Sequence, residues 1–274
     1  MAEISRVLCA VDIDDPGRTA FTQALASARA RDARLLLVCP APVGQPFSLR
    51  AVDRVAYLLS IRRQAEAAGV DVFTSVQTGE PAEIILLHAR ARRADLIVIS
   101  VEHGRSGGML WGAIAEEVLR ASTCPTLVVP AGASTPSSFA RPVYAVDVET
   151  DDLAPGDALR LSNPADSTLA VVHVAASRRA AGPALDKLQS VLTGDDDARV
   201  TGRVLVGAVA REVLQAMQLA DADLLVMNAR RRSRVGRRLF GITRQLLERT
   251  PCPVLALPPE SRRRITTGEQ EKAA

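Results

Sequence analysis

The sequence predicts an α/β fold made of two similar domains, each built on a parallel β-sheet. The main reason is an internal repeat, in which a glycine, an aspartate, a cysteine and a proline each recur 128 positions later in the chain. These pairs are Gly79 and Gly207, Asp95 and Asp223, Cys124 and Cys252, and Pro125 and Pro253. A shared offset over four separated residues indicates two copies of one folding unit. Short apolar segments also alternate with amphipathic ones, which favours parallel strands joined by helical crossovers.

The composition agrees with this prediction. A chain of 274 residues is long enough for two domains of about 135 residues, each with its own core. Apolar residues make up 47% of the chain and aromatic residues only 3%, so the cores consist of Val, Leu, Ile and Ala, as in sheets covered on both faces. The net charge of +3 is small and stacking aromatics are scarce, which argues against a nucleic-acid-binding protein.

In the first copy, apolar runs predict five strands and helical spacing predicts four helices. The predicted strands are residues 7–11, 35–38, 70–78, 95–100 and 126–129. The predicted helices are residues 16–33, 49–68, 82–91 and 113–121. Two prolines at positions 40 and 42 are expected to end the second strand. Gly69 is expected to cap the second helix at its C-terminus.

The second copy repeats the strand pattern with shorter helices. Its predicted strands are residues 143–148, 169–174, 200–205, 224–228 and 254–257, and its helices 155–161 and 184–192 replace longer segments of the first copy. The predicted organisation is a first domain over 1–131, a linker over 132–140, a second domain over 141–259, and a charged, disordered tail over 260–274.

The four cysteines lie in or beside apolar runs and form no CxxC pair, which predicts buried, reduced thiols. No apolar run approaches the roughly 20 residues that a membrane span needs. A strand starts close to the N-terminus and leaves no room for a signal peptide. We therefore expect a cytoplasmic protein that does not associate with a membrane.

Ligands of such sheets bind beyond the carboxyl ends of the strands, so the residues that follow the strands are the candidates. Asp12 and Asp147 follow the first strands of the two copies. The other informative segments lie in the first copy and are 78–81, 94–100, 103–107, Gly112 with 116–119, and 124–129. With this order and spacing, the chain resembles the universal stress protein family in its tandem form. The resemblance implies two Rossmann-like (adenine nucleotide alpha hydrolase-like) domains. Each would have a five-stranded parallel sheet in the order 3-2-1-4-5 with helices on both faces. It also implies that the fifth strands pair between the domains.

The resemblance further implies a nucleotide site, from which the first copy departs in part. ATP-binding members carry Gly-x-x-Gly, nine residues, and then Gly-Ser or Gly-Thr, so that backbone N–H groups and a hydroxyl hold the phosphates. Here Val101 stands at the first glycine position, only seven residues separate Gly104 from Gly112, and Ala113 replaces the hydroxyl residue. Gly107 and Gly108 are expected to compensate in part, because two glycines would keep the shortened loop flexible.

We therefore expect weak binding of ATP or another adenine nucleotide in domain 1, with no metal except magnesium that accompanies the nucleotide. The binding residues implied by the resemblance are Asp12, Val38, Gly104, Gly107, Gly112 and Ala113. Alternatives remain open, because Asp12 and Asp147 could instead cap the turns that follow them. Val38 could equally belong to the core.

The second copy departs further from the nucleotide-binding pattern. Asn228 and Arg231 occupy the early glycine positions, and Ile242 follows the surviving Gly241, so no binding of the usual kind is expected there. A basic segment over 230–238 contains Arg231, Arg232 and Arg234. These arginines are candidates for contacts to an anion, an acidic protein partner or the other domain, the alternative being a solvated basic loop.

No carboxylate pair, histidine cluster or Ser-His-Asp order appears, so we predict no catalytic residues and no enzymatic activity. The leading interpretation is a stress-response binding or regulatory protein, with the two domains packed as an internal pseudo-dimer. A homodimer of the chain is also expected, because the edge strands of a sheet need covering. One alternative is a protein-interaction scaffold that binds no nucleotide. A weak ATP hydrolase is disfavoured, because the loop lacks a lysine that could reach the phosphates and a base to activate water.

Overall fold

The computed structural model of the protein describes residues 4–13, 18–41, 49–101, 109–130, 133–149, 155–162, 167–192, 199–229 and 236–258. The chain divides into two compact units. Unit 1 comprises Met1–Ser137 with Leu257–Ala274, and unit 2 comprises Ser138–Ala256.

Within the described residues, unit 1 alternates strands with helices, as the sequence predicts. Its strands are β1 (Arg6–Ala10), β2 (Arg34–Ala41), β3 (Val72–Thr78), β4 (Leu96–Val101) and β5 (Thr126–Pro130). Its helices are α1 (Thr19–Arg29), α2 (Leu49–Ala67), α3 (Pro81–Ala91) and α4 (Met109–Ala121). The strands pair in parallel in the order β3-β2-β1-β4-β5.

Unit 2 repeats this plan. Its strands are β6 (Pro142–Val146), β7 (Leu169–Ala175), β8 (Val200–Val206), β9 (Leu224–Asn228) and β10 (Val254–Leu257). Its helices are α5 (Pro155–Ser162), α6 (Arg178–Leu192), α7 (Val209–Leu219) and α8 (Gly236–Arg249). The strand order is β8-β7-β6-β9-β10, and β6 pairs in parallel with β7 and β9. The predicted fold class, two repeated α/β domains with parallel sheets, is confirmed.

Aliphatic strands form the core of each unit. Every residue of β4 and of β5 is buried, and so is every residue of β10. Such continuous apolar runs are typical of parallel strands that helices cover on both faces. The four cysteines are buried and form no disulfide bond, which confirms the prediction from their apolar surroundings.

In each unit a repeated aspartate links the starts of two neighbouring central strands. Asp95 Oδ2 accepts hydrogen bonds from the backbone N–H of Ser5 at 3.0 Å and of Arg6 at 2.9 Å. In unit 2, the Asp223 carboxylate accepts from the backbone N–H of Ala140 at 2.7 Å and of Arg141 at 2.9 Å. In both units the carboxylate therefore ties the start of the first strand to the start of the fourth.

The repeated glycines are explained by backbone conformation. Gly79 and Gly207 have φ of 148° and 152°, which side-chain-bearing residues rarely adopt. Each follows the third strand of its unit and donates its N–H to the end of the second strand. The acceptors are the carbonyls of Ala41 at 3.0 Å and Ala175 at 3.3 Å.

The second strand continues through a proline that was expected to end it. Pro40 lies within β2, opposite Gln77 of β3. The Val38 carbonyl faces β1 and accepts from Val11 N at 2.7 Å, and the Ala41 carbonyl faces β3. Pro40, two residues after Val38, therefore turns its missing N–H toward the β1 side, beyond the last paired residue of that strand. No ladder bond is lost there, so the proline is tolerated.

Two helices begin earlier than the sequence suggests. Helix α6 starts at Arg178 and runs through Pro183, and Ser177 accepts a hydrogen bond from Ala180 N at its start. The proline lies in the second turn, where it costs few helical bonds. Helix α4 starts at Met109, four residues before its predicted start at residue 113.

Candidate functional site

The carboxyl edge of the unit 1 sheet brings together the ends of β1 and β2. Asp12 lies just after β1 and is half-buried. Val38, the other predicted residue here, is wholly buried and pairs with Ala10 of β1 and Ser75 of β3. The position of Val38 agrees with the core-packing alternative, and the residues of β2 that are partly exposed at this edge are Pro40 and Ala41.

A buried arginine also lies at this edge, and sequence reasoning missed it. Arg54 of α2 is only 7% exposed. Its helix also buries Leu58, Ile61 and Ala65, so Arg54 occupies a position of the apolar stripe. A charged residue at such a spacing was a signal that the sequence offered. Buried arginines are uncommon because a guanidinium is costly to desolvate, and they usually serve a contact.

The pKa of the Cys39 thiol is shifted by burial and by two charged side chains at this edge. Burial raises its pKa to about 11, the nearby Arg54 guanidinium lowers it, and the Asp12 carboxylate raises it. Cys39 therefore stays protonated at neutral pH and is not a thiolate nucleophile. The same interactions place one cationic and one anionic side chain within electrostatic reach of the end of β2.

The predicted phosphate loop is covered only in part by the described residues. Gly104 and Gly107 lie outside them. Gly112 and Ala113 are the fourth and fifth residues of α4, where N–H groups begin to donate within the helix. The free N–H groups of this helix are therefore those before Gly112. Ala113 is exposed and offers no hydroxyl.

The equivalent edge of unit 2 is filled by larger side chains. Equivalent backbone bonds match Cys9 with Tyr144 and Cys39 with His173. Tyr144 is wholly buried and donates its hydroxyl to Asn228 Oδ1 at 2.9 Å. Asn228, which replaces an early glycine of the nucleotide pattern, is thus engaged within the unit.

Asp147 is the aspartate of unit 2 at this edge. Asp147 Oδ1 accepts a hydrogen bond from Glu149 N at 3.1 Å, so this residue caps the turn after β6. Nearby, His173 Nδ1 lies 3.2 Å from the Val146 carbonyl. The basic candidates Arg231, Arg232 and Arg234 lie outside the described residues.

The described part of the chain has neither a metal-binding cluster nor a membrane-spanning helix. No group of three or more His, Cys, Asp or Glu side chains in it could hold a metal ion. Among the helices described above, none is both long and apolar enough to cross a membrane.

The fold defines a tandem α/β protein that repeats one five-stranded parallel sheet. Comparison with known proteins identifies the family. The universal stress protein family model matches residues 3–130 and again residues 143–258, so the chain belongs to the universal stress protein family in a two-domain form.

Relatives agree with this assignment. A curated universal stress protein of Thermus aquaticus is 34% identical over 132 residues, which is 45% of this chain and 96% of the relative. A crystal structure of a universal stress protein from Archaeoglobus fulgidus matches with a TM-score of 0.71 at 15% identity, covering 94% of this chain and 97% of the other. A Pseudomonas aeruginosa protein of unknown function matches with a TM-score of 0.68 at 18% identity, covering 94% and 93%. At these identities the two structures show the fold alone.

Proposed function

We propose that this universal stress protein binds an adenine nucleotide weakly at the carboxyl edge of unit 1 and binds none at the equivalent edge of unit 2. The observation that carries the proposal is the pair of Asp12 and buried Arg54 beside the end of β2 in unit 1. At the same edge of unit 2, Asp147 caps a turn, and Tyr144 and His173 stand in place of two cysteines.

The residues of unit 1 fit the chemistry of a nucleotide. The Asp12 carboxylate accepts hydrogen bonds and suits ribose hydroxyls or the amino group of adenine. The Arg54 guanidinium presents five N–H donors in a fixed geometry, which suits a ligand oxygen or phosphate. The first N–H groups of α4 and its dipole favour a negative charge at that helix end. When bound, the nucleotide would bring its own magnesium.

The same residues explain why we expect weak binding. Ala113 supplies no hydroxyl, and each lost hydrogen bond to a charged phosphate costs about 1.5–3 kcal/mol. One such loss lowers the affinity about tenfold to a hundredfold. The proposed site is therefore one that a millimolar ligand concentration would fill.

Thermal unfolding with ligands tests the proposal. We expect ATP and ADP at millimolar concentration to raise the melting temperature more than equal concentrations of phosphate do. Asp12→Asn should reduce that rise, because a neutral amide no longer matches the donors of the ligand. The matched control Asp147→Asn should leave it unchanged. No nucleotide-dependent rise in the parent protein would refute the proposal and favour the interaction scaffold.

A binding role without catalysis belongs to the same proposal. Phosphate release from ATP above a buffer blank, abolished by Gly112→Val, would instead establish a hydrolase. Pairing of the two domains, formation of a homodimer, a cytoplasmic location and the domain boundaries at 131, 140 and 259 stay predictions.

A further inference from the structure

Arginines surround a groove at the opposite, amino-terminal edge of the unit 1 sheet. The groove has a volume of about 320 Å³, and the residues that line it are Arg6, Arg34, Leu36, Ala91, Arg92 and Arg93. It thus has four cationic side chains and no acidic one in its lining. A neighbouring groove of about 480 Å³ shares Arg6 and Arg34 and adds Arg29, Asp32 and Asp71.

We propose that this arginine groove binds a small anion that carries two or more phosphoryl groups. The groove is separate from the nucleotide site proposed above. Asp12 follows the end of β1, whereas Arg6 begins that strand, and five residues of a strand span about 16 Å. The two proposals can therefore fail independently.

Two of the arginines are held side by side by the strand register. Arg6 of β1 and Arg34 of β2 are direct partners in the parallel pairing. Partners in register point to the same face, and like charges placed opposite each other destabilise a sheet. Arg34 has a partial counter-charge, because its Nε lies 3.1 Å from Asp71 Oδ2 in an exposed pair. The Arg6 guanidinium donates a long hydrogen bond of 3.5 Å to the Arg93 carbonyl.

The other two arginines are held by the end of α3. Arg92 lies with its guanidinium carbon 3.6 Å from the centre of the Phe73 ring, in a cation–π contact. A guanidinium that is already oriented loses less freedom when it binds a ligand. Arg93 has φ of 50°, a left-handed conformation at the C-terminal end of the helix. Because this position usually favours glycine, the geometry of the helix end does not explain why an arginine stands here.

The second repeat shows that the fold does not need this charge cluster. The backbone bonds of Asp95 and Asp223 match Arg6 with Arg141, and the helix-end bonds of Ala94 and Ala222 match Arg93 with Asp221. In unit 2, Arg141 Nη2 lies 3.0 Å from Asp221 Oδ2 and forms an ion pair. At the same position, unit 1 replaces the neutralising acid with another arginine.

The two remaining equivalents are uncharged in unit 2. The bond from Arg34 N to the Ser5 carbonyl corresponds to that from Thr168 N to the Ala140 carbonyl, so Thr168 replaces Arg34. Ala220 replaces Arg92. The four arginines therefore meet in one repeat only, although both repeats keep the same backbone.

The chemistry of the groove selects the ligand class. Guanidinium groups bind phosphoryl oxygens in bidentate pairs, and several such pairs need an anion with several oxygens in a compact volume. A single monovalent anion leaves most of the positive charge uncompensated. Because all four side chains are exposed, the binding should weaken steeply with salt.

Isothermal titration with pyrophosphate in low-salt buffer tests the proposal. We expect measurable binding to the full-length protein that tripolyphosphate strengthens and that sulfate does not reproduce. Arg93→Asp copies the residue of unit 2 and should weaken binding by about tenfold or more, since it removes one charged partner and adds a repelling one. Arg6→Gln should weaken it as well. Folding of both variants is checked by far-UV circular dichroism.

The matched control is Arg179→Asp, the same change of charge at an exposed residue of α6 in unit 2. It should leave the affinity within about twofold, as expected for a screened charge that does not line the groove. Stronger displacement of pyrophosphate by ATP than by tripolyphosphate would assign the phosphoryl groups to a nucleotide, and weaker displacement by ATP would assign them to a free polyphosphate; both outcomes support the groove. Absence of pyrophosphate binding, or equal loss in Arg93→Asp and Arg179→Asp, would overturn the proposal.

Discussion

In unit 1 the left-handed residue at the end of α3 is Arg93, whereas the equivalent residue at the end of α7 in unit 2 is Asp221. At the other edge, unit 1 has Cys9 and Cys39 where unit 2 has Tyr144 and His173. The two units keep the same strand order and the same aspartate and glycine positions. A few hydrogen-bonded positions therefore maintain the backbone of both units. The side chains at the two edges of each sheet differ between the units.

The largest expected effect concerns what the units share. The Asp95 carboxylate accepts from two backbone N–H groups and from the Ser5 hydroxyl at 3.0 Å, and the Asp223 carboxylate accepts from two N–H groups. We expect Asp95→Ala and Asp223→Ala each to lower the free energy of unfolding by about 2–3 kcal/mol, because several hydrogen bonds to a charged group are lost. Urea unfolding measures this.

Two features make that measurement specific. Trp111 is the only tryptophan of the chain, so its fluorescence reports on unit 1 while far-UV circular dichroism reports on both units. Asp186→Ala, at an exposed position of α6, is the control. If the control costs as much as either repeated aspartate, the shared anchor has no special role.

A smaller effect is expected where the units pack differently. Strand register matches Gly202 of β8 with Thr74 of β3. A Cβ at Gly202 would lie 2.5 Å from Leu192 Cδ1 and 3.1 Å from Leu188 Cδ2. Importing the residue of unit 1 as Gly202→Thr should therefore destabilise the protein by about 1–3 kcal/mol through overpacking.

The reverse change sharpens this comparison. Thr74→Gly creates no clash and should cost only about 0.5–1 kcal/mol of backbone entropy. Urea midpoints followed by circular dichroism compare the two variants. Equal costs would show that α6 does not pack more closely on its strand than the helix of unit 1 does.

Glycine at position 93 or 221 should instead stabilise the protein, by about 1 kcal/mol or less. Arg93→Gly should raise the stability by about 1 kcal/mol, because glycine adopts φ of 50° without strain. Asp221→Gly should gain less, since aspartate tolerates this conformation and its ion pair with Arg141 is lost. Thermal unfolding at low and high salt measures the stability of both variants. An equal gain in the two would argue against a greater backbone strain at Arg93 than at Asp221.

The smallest effect is a pH dependence that belongs to unit 1. Burial, and then the charge of Arg92, lower the pKa of His88, whose Nε2 lies 2.9 Å from Gln77 Oε1 and 3.3 Å from Ser75 Oγ. The unfolded histidine takes up its proton near pH 6.5 and the folded one only at a lower pH. Stability should therefore decrease as the pH falls through this window, and His88→Gln should flatten the slope. Ala216 occupies the equivalent position of unit 2, so that unit has no matching histidine. An unchanged slope in His88→Gln would show that another group is responsible for the pH dependence.

The sequence was sufficient to predict the fold because the strands are apolar runs bounded by turn residues, and the repeat confirms each of them. It failed at Pro40, where the direction of a single missing N–H decides whether a strand continues. Arg54 could have been found, because it interrupts the apolar stripe formed by Leu58 and Ile61.

The arginine groove could not have been predicted in the same way. Arg6, Arg34, Arg92 and Arg93 are far apart in the chain and meet only through the strand register and the end of α3. The same holds for Tyr144 and Asn228, whose side chains meet across neighbouring strands. Contacts of this kind depend on register, which a single sequence does not specify.

Hydrogen exchange followed by mass spectrometry, with and without saturating ATP, tests most directly whether the two repeats have diverged in binding. We expect added protection in the peptides that contain Asp12 and Arg54, and unchanged exchange around Asp147 and His173. Protection at Asp147 and His173, or equal protection in both units, would contradict this expectation.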